Sequence, residues 1–234
     1  MLTLRSDEIQ KKVLDFFFPP QCVGCGKGGD FLCSDCCGKL PRIIPPFCNR
    51  CGKPQMSGSL CPSCWGIKSS IDGIRSPYYF EGTVRKAIHE LKYHNLRALA
   101  DPLAELLYAY LQMNDIDGDI IIPVPLHRGR LRRRGYNQSG LIATRLGKLA
   151  GLPVIEDCIV RTKDSKPQAR TKTGEERREN VAEAFICRDG NLQGRRVLLI
   201  DDVCTTGATL ESCAETLKTT GVISVWGLTV ARES

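Results

Sequence analysis

One stretch limits the fold more than any other: Val197-Leu-Leu-Ile-Asp-Asp-Val-Cys-Thr-Thr-Gly-Ala-Thr-Leu210. Its four leading apolar residues predict a buried strand of a parallel sheet. Two acids, Asp201 and Asp202, follow at once. Small and polar residues come next at 205–209, and then a helical pattern. Strand, tight turn, helix is the unit from which open α/β sheets are built, and such sheets bind ligands where strand ends face helix N-termini. A helix N-terminus offers unpaired N–H groups to a phosphate, and Gly207 removes a Cβ from the approach. Carboxylates repel phosphate, so the acids need another partner. A sugar 5-phosphate has both parts, hydroxyls for the acids and a phosphate for the loop. The stretch carries neither the Lys-Ser/Thr pair of a nucleotide-triphosphate loop nor a G-x-G-x-x-G pattern.

The same 14 residues resemble the 5-phosphoribosyl-1-pyrophosphate (PRPP) motif of type I phosphoribosyltransferases. The resemblance implies a PRPP contact set of Asp201, Asp202, Val203, Cys204, Thr205, Thr206, Gly207, Ala208 and Thr209. Asp201 and Asp202 would be the catalytic pair on the ribose hydroxyls, and Mg²⁺ would accompany PRPP.

The front of the chain speaks of metal. Eight cysteines form four C-x-x-C knuckles: Cys22/Cys25, Cys33/Cys36, Cys48/Cys51 and Cys61/Cys64. Two knuckles satisfy one tetrahedral zinc, so eight thiolates predict two closed, structural sites with no open position for water. Loops of similar length favour sequential pairing, first knuckle with second and third with fourth; an interleaved pairing stays open. The segment has few apolar residues and depends on metal to fold. With no export signal in view, metal thiolates in a reducing cytoplasm account for the cysteines better than disulfides. Cys158, Cys187, Cys204 and Cys213 stand alone and read as small apolar residues, although a helix N-terminus beside Cys204 would lower its thiol pKa.

Ahead of the knuckles, Ile9, Val13, Phe16 and Phe17 share one helical face, with Ser6 as cap and Pro19-Pro20 as stop. This helix either docks on the rest of the protein or meets a membrane surface or partner. No apolar run approaches the ~18 residues of a membrane span. The expected organisation is a helix over 1–20, a double zinc ribbon over 21–70, and an α/β domain over 71–234.

After the ribbon, residues 78–80 read as a strand, 84–91 as a helix begun by a Thr83 cap, and 102–112 as a helix capped by Asp101. His89 and His94 have no evident carboxylate or cysteine partner. The order is Tyr78-x-Phe80-x-Gly82-x-Val84-Arg85, Ile88-His89-x-Leu91-Lys92-Tyr93, ribbon before and PRPP motif after. It resembles the ComF family, which includes ComFC-like competence proteins and GntX-like proteins. The resemblance covers almost the whole chain. It implies a type I phosphoribosyltransferase-like parallel sheet with helices on both faces and a hood-like N-terminal part. It also implies a role in DNA uptake, with a DNA-uptake helicase or other competence proteins as partners.

The net charge of +7 is concentrated in the middle, where residues 123–180 hold 14 Lys and Arg against 6 Asp and Glu. A strand over 119–124 leads into a loop with five Arg among residues 128–134. Arg forks match phosphate oxygens. By resemblance, Val124, Pro125, Leu126, His127 and Arg128 cradle pyrophosphate, while Arg134, Tyr136, Asn137 and Gln138 line the cleft, with a helix from Ser139. Residues 162–180 are polar and read as a lid. There the family pattern falls on Arg161, Gln168, Arg177, Asn180, Ala184 and Phe185, and departs from it at Ser165 and Thr171. A single strand of DNA could follow the same groove, but Tyr136 is the only aromatic platform in that stretch. A non-catalytic DNA-binding factor and a PRPP-sensing regulator are therefore further readings. The acceptor of a transfer is not readable.

Overall fold

The computed structural model describes residues 19–162, 185–188 and 191–234. In chain order the described elements are α1 (Ser34–Gly38), β1 (Gly73–Arg75), β2 (Tyr78–Tyr79), α2 (Gly82–Tyr93) and α3 (Ala100–Met113). Then come β3 (Ile120–Pro123), α4 (Arg128–Arg134), α5 (Gln138–Ala150), β4 (Ile159–Arg161), β5 (Phe185–Cys187), β6 (Arg196–Cys204), α6 (Ala208–Lys218) and β7 (Ser224–Arg232). The helix expected around residues 9–17 lies outside the described residues.

The central sheet is parallel, in the order β1-β7-β6-β3, with β2 continuing the pairing along β7 beyond β1. Alternation along β6 sorts its side chains between two cores. Leu198 and Ile200 face Val84, Ile88 and Leu91 of α2, Leu103 and Leu107 of α3, and Ile142 and Leu146 of α5. Val197 and Leu199 face Leu210, Cys213 and Leu217 of α6 and the β4–β5 hairpin. All four residues at 197–200 are almost fully buried, each contributing roughly 1.5–3 kcal/mol by leaving water. Burial on both faces is why the run is continuous rather than alternating.

Several local expectations need correction. β6 does not end before the acids: it carries Asp201, Asp202, Val203 and Cys204. Asp201 pairs with Thr229, and Cys204 with Arg232, so the strand's partner holds it extended past the polar residues. The arginine run is not an irregular loop but α4. His127 caps it through Nδ1, which accepts from Gly129 N at 3.2 Å, and Gly135 closes it in the left-handed conformation. α5 begins at Gln138, capped by Asn137 rather than opened at Ser139. α2 follows Glu81 with no side-chain cap, so Thr83 does not cap it. α3 continues from a 3-10 turn at Arg97–Leu99; Asp101 is inside it and pairs with Arg145 at 2.5 Å.

The ribbon packs on this body. Residues 41–43 run beside β2, with Ile43 N donating to Pro77 O and Tyr79 N to Pro41 O, each at 2.8 Å. Val23, Phe31 and Leu40 join the core under α2 and α3.

Candidate functional site

The carboxyl ends of β3 and β6 bring three segments to one edge. The first is the end of β6. Asp201 Oδ1 accepts from Ser139 Oγ at 2.8 Å and from Asp202 N at 2.9 Å. Burial, and then the neighbouring Asp202 carboxylate, push the Asp201 carboxyl up to about 7, against the pull of Lys92 and its hydrogen bonds. Asp202 is 3% exposed. Its Oδ2 lies 2.9 Å from Lys92 Nζ, an ion-pair contact rather than a directed hydrogen bond. Burial alone would lower the Lys92 pKa, but Asp202 more than offsets this and raises it, so the ammonium stays charged.

Lys92 is the site residue that sequence reading missed. The available signal was positional: Val84, Ile88 and Lys92 are spaced i, i+4, i+8, so a cation stands where the apolar stripe of α2 should continue.

The second segment is the turn into α6. Thr205 and Thr206 are exposed. Thr206 Oγ1 accepts from Ala208 N at 3.3 Å. Gly207 has φ +80°, and a Cβ there would lie 2.8 Å from Ile74 Cδ1. The backbone conformation favours glycine, and a side chain there would also have to displace the Ile74 methyl. Thr209 is half-buried in the first turn of α6, as is Glu211, whose carboxylate is engaged by Ser69 Oγ at 2.7 Å and Ser70 N at 2.5 Å. Cys204 is buried, and burial pushes its thiol up to about 11. That overturns the expected lowering by the helix N-terminus and leaves Cys204 a packing residue.

The third segment is residues 124–128 with α4 behind it. Val124 and Pro125 are buried, Leu126 and His127 half-buried and Arg128 exposed. Val124 N donates to Ile200 O at 2.9 Å, and Val124 O accepts from Asn137 Nδ2 at 3.0 Å. Asn137 thus ties this loop to the start of α5. Arg134 bonds Gln138 Oε1 and lies 5.4 Å over the Tyr93 ring. The Tyr136 hydroxyl donates to Leu91 O, under the Arg97 guanidinium. Tyr136 and Gln138 are therefore buried supports of the cleft. Arg161 is buried on the β4–β5 hairpin, 5.4 Å over Phe185. Gln168, Arg177 and Asn180 lie outside the described residues.

The metal ligands group sequentially. Cys22, Cys25, Cys33 and Cys36 hold their sulfurs within 4.8 Å of one another, and so do Cys48, Cys51, Cys61 and Cys64. Cys25 and Cys33 Sγ are 3.7 Å apart, as are Cys51 and Cys61 Sγ. A tetrahedron with bonds of about 2.3 Å requires about that separation, and a disulfide does not. Cys33 N donates to Cys22 Sγ at 3.4 Å and Cys61 N to Cys48 Sγ at 3.3 Å, bonds that suit thiolates. The donor sets fit two structural zinc ions.

His94 does have a carboxylate partner, contrary to expectation: its Nδ1 lies 2.8 Å from Glu90 Oε2, and His89 is within reach of both. The helical turn at the end of α2 brings them together. Among the described residues no helix is long and apolar enough to cross a membrane.

Chemically, the edge offers carboxylates for hydroxyls, a glycine turn at a helix N-terminus for an anion, and a basic flank. Residues 13–65 match the double zinc ribbon domain, and residues 89–232 the phosphoribosyl transferase domain. Competence protein F of Haemophilus influenzae is 32% identical, covering 91% of this chain and 97% of its own length. Competence protein ComFC of Bacillus subtilis is 26% identical, covering 88% and 86%. DNA utilization protein YhgH of Escherichia coli O157:H7 is 30% identical, covering 84% and 89%. The chain belongs to the ComF family, with a double zinc ribbon joined to a phosphoribosyl transferase domain.

Proposed function

We propose that this protein binds PRPP with Mg²⁺ at the carboxyl edge of β6 and transfers its 5-phosphoribosyl group, in a process connected with DNA uptake. The observation that carries the reading is the placement of Asp201 and Asp202 at a sheet edge, directly before a glycine turn that opens α6. The turn at 205–209 holds the 5-phosphate with backbone N–H and Thr hydroxyl groups. Asp201 and Asp202 take the ribose hydroxyls. As the bond from the anomeric carbon to pyrophosphate breaks, these carboxylates stabilise the positive charge left on the ribose. Residues 124–128 receive the departing pyrophosphate, whose charge Mg²⁺ offsets.

In this structure Lys92 occupies the Asp202 carboxylate, so binding requires it to exchange that contact for the ligand. The DNA-uptake context rests on the names of the relatives, competence and DNA utilization proteins. A cytoplasmic location is part of the same reading.

Calorimetry with PRPP and Mg²⁺ tests it. Asp201→Ala should abolish the binding heat; unchanged affinity sinks the assignment. The basic helix α4 favours a second reading, a DNA-binding factor without turnover. It predicts affinity for oligothymidylate that falls steeply with salt, and absence of binding at low salt removes it.

A further inference from the structure

We propose that the end of α2 carries a further metal site, in which His89, Glu90 and His94 hold a divalent transition ion such as Zn²⁺. It lies outside the two cysteine clusters and does not depend on the PRPP reading. The chain has three histidines, and two of them stand here. One ring nitrogen of each and a carboxylate oxygen of Glu90 all lie within 4.8 Å of one another. Two imidazoles and one carboxylate are the donor set of open transition-metal sites, whereas Mg²⁺ takes oxygen ligands.

The backbone sets two of the donors in place. His94 N donates to Glu90 O at 3.1 Å where the helix ends, which holds the two side chains i, i+4 on its last turn. His94 Nδ1 is 2.8 Å from Glu90 Oε2. Donors bound to one ion at about 2.0–2.2 Å stand about 3–3.5 Å apart, so this pair already has nearly the spacing that an ion requires. A proton now bridges the pair, and metal binding replaces it.

His89 supplies the third donor. Among the described residues neither of its ring nitrogens makes a hydrogen bond. Its ring packs 4.6 Å from that of Tyr93 and stands edge-on to that of His94 at 5.4 Å. These contacts orient the imidazole while the residue stays exposed, and rotation of the side chain closes the remaining distance. The carboxyl end of a helix is the negative pole of its backbone dipoles and favours a cation. The neighbouring Lys92 charge is matched by Asp202, 2.9 Å away. Three protein donors leave a position for water or an anion. His89 also lines a cavity with Lys92, Val203 and Thr205, so the site adjoins a space that reaches the turn at 205–209.

The test uses the untagged full chain with both cysteine sites already filled by zinc. Calorimetric titration with further Zn²⁺ should show one additional equivalent, weaker than the first two. The imidazole NMR signals of His89 and His94 should move together with that equivalent, and those of His127 should not. His89→Ala, Glu90→Gln and His94→Ala should each weaken the additional ion by about tenfold or more, since loss of even a supporting partner has an effect of that size. An unchanged melting temperature in the zinc-loaded variants shows that they fold. Millimolar Mg²⁺ should leave the ion in place. A stoichiometry that stays at two ions overturns the proposal. So does an additional ion that keeps its affinity in His89→Ala, because the third donor is then not His89. Displacement by Mg²⁺ also overturns it, since imidazole ligands would not give that result.

Discussion

The two halves of the ribbon repeat one local geometry and are fastened to the sheet by different means. Gly26 N donates to Cys22 O at 2.7 Å, and Gly52 N to Cys48 O at 2.9 Å. Cys22 N reaches Lys27 O at 2.9 Å, and Cys48 N reaches Lys53 O at 2.8 Å. Gly26 and Gly52 have φ of +77° and +70°. Beyond this the halves part. Around its cysteines the first touches the body through side chains, Val23 and Phe31 against the core, and its backbone reaches β2 after the last ligand, at residues 41–43. The second is bonded by its backbone: Ile74 N of β1 donates to Arg50 O at 2.7 Å, and Arg232 of β7 donates to Cys51 O. Ile74 in turn lies against Gly207. The same metal-binding repeat is thus a satellite in one case and part of the sheet edge beneath the anion turn in the other.

The largest effect should come from the metal. Cys48→Ser and Cys22→Ser should each lower bound zinc from two ions to one. Structural zinc contributes on the order of 10–16 kcal/mol in zinc-finger peptides, so each variant loses its own half. Cys48→Ser should also loosen β1 and lower the melting temperature further. Equal melting losses would erase the distinction between the halves.

Next comes the glycine pair. A Cβ on Gly26 meets nothing within 4 Å, whereas one on Gly52 would sit 2.4 Å from Ile74 O. Gly26→Ala should cost only the left-handed conformation, about 1–2 kcal/mol. Gly52→Ala must also push the ribbon off β1, for roughly 3 kcal/mol or more. Urea unfolding of both variants gives the difference directly, and matching costs would mean the second half is not docked as described.

Arg75 sharpens the same contrast more gently. Its guanidinium is 4.9 Å from the rings of both Phe47 and Trp226 and donates to Asn49 O at 3.1 Å. Arg75→Met keeps the stem and loses these contacts, for about 1–2 kcal/mol. Hydrogen exchange should then rise around residues 47–52 and stay unchanged at 22–27.

The smallest effect is a pH slope. Burial and the neighbouring Asp202 carboxylate raise Asp201 from the ordinary aspartate value of 3.8 to about 7. The native state therefore keeps a proton that the unfolded chain has already released, and stability falls as pH rises from about 4 through about 7. Unfolding between pH 6 and 7.5, where zinc is retained, should show this decline. Asp201→Asn should flatten it. A wild-type slope persisting in that variant would assign the titration elsewhere.

Much of this was readable from residue order because the signals were local. The cysteine spacings gave the two zinc sites, and the apolar run at 197–200 gave the buried centre of the sheet. What escaped depended on distant neighbours. β6 continues through two aspartates because β7 pairs with it there, and Asp202 tolerates burial because Lys92, far off in sequence, meets it. The arginine run reads as a loop by charge alone; its helix rests on His127 and Gly135, whose capping roles follow from backbone angles. The Glu90–His94 pair was local and legible, since the two stand i, i+4 on the last turn of α2. Cys204 was read correctly as a packing residue, but the thiol shift expected from the nearby helix N-terminus has the opposite sign, because enclosure by the sheet dominates.

The position of β7 has a consequence for how the protein is made. This strand lies between β1 and β6, yet it leaves the ribosome after both. Gly73 waits for Trp226 and Arg196 for Ser224. Until residues 224–232 emerge, β1 and β6 have no shared neighbour, and the second ribbon half has only part of the surface it rests on. Synthesis from the amino end does not deliver a finished zinc module followed by a finished domain. Arrival of a single late strand completes the sheet, seats the ribbon and sets the anion turn in place, so assembly is governed by distant pairing rather than by order of appearance.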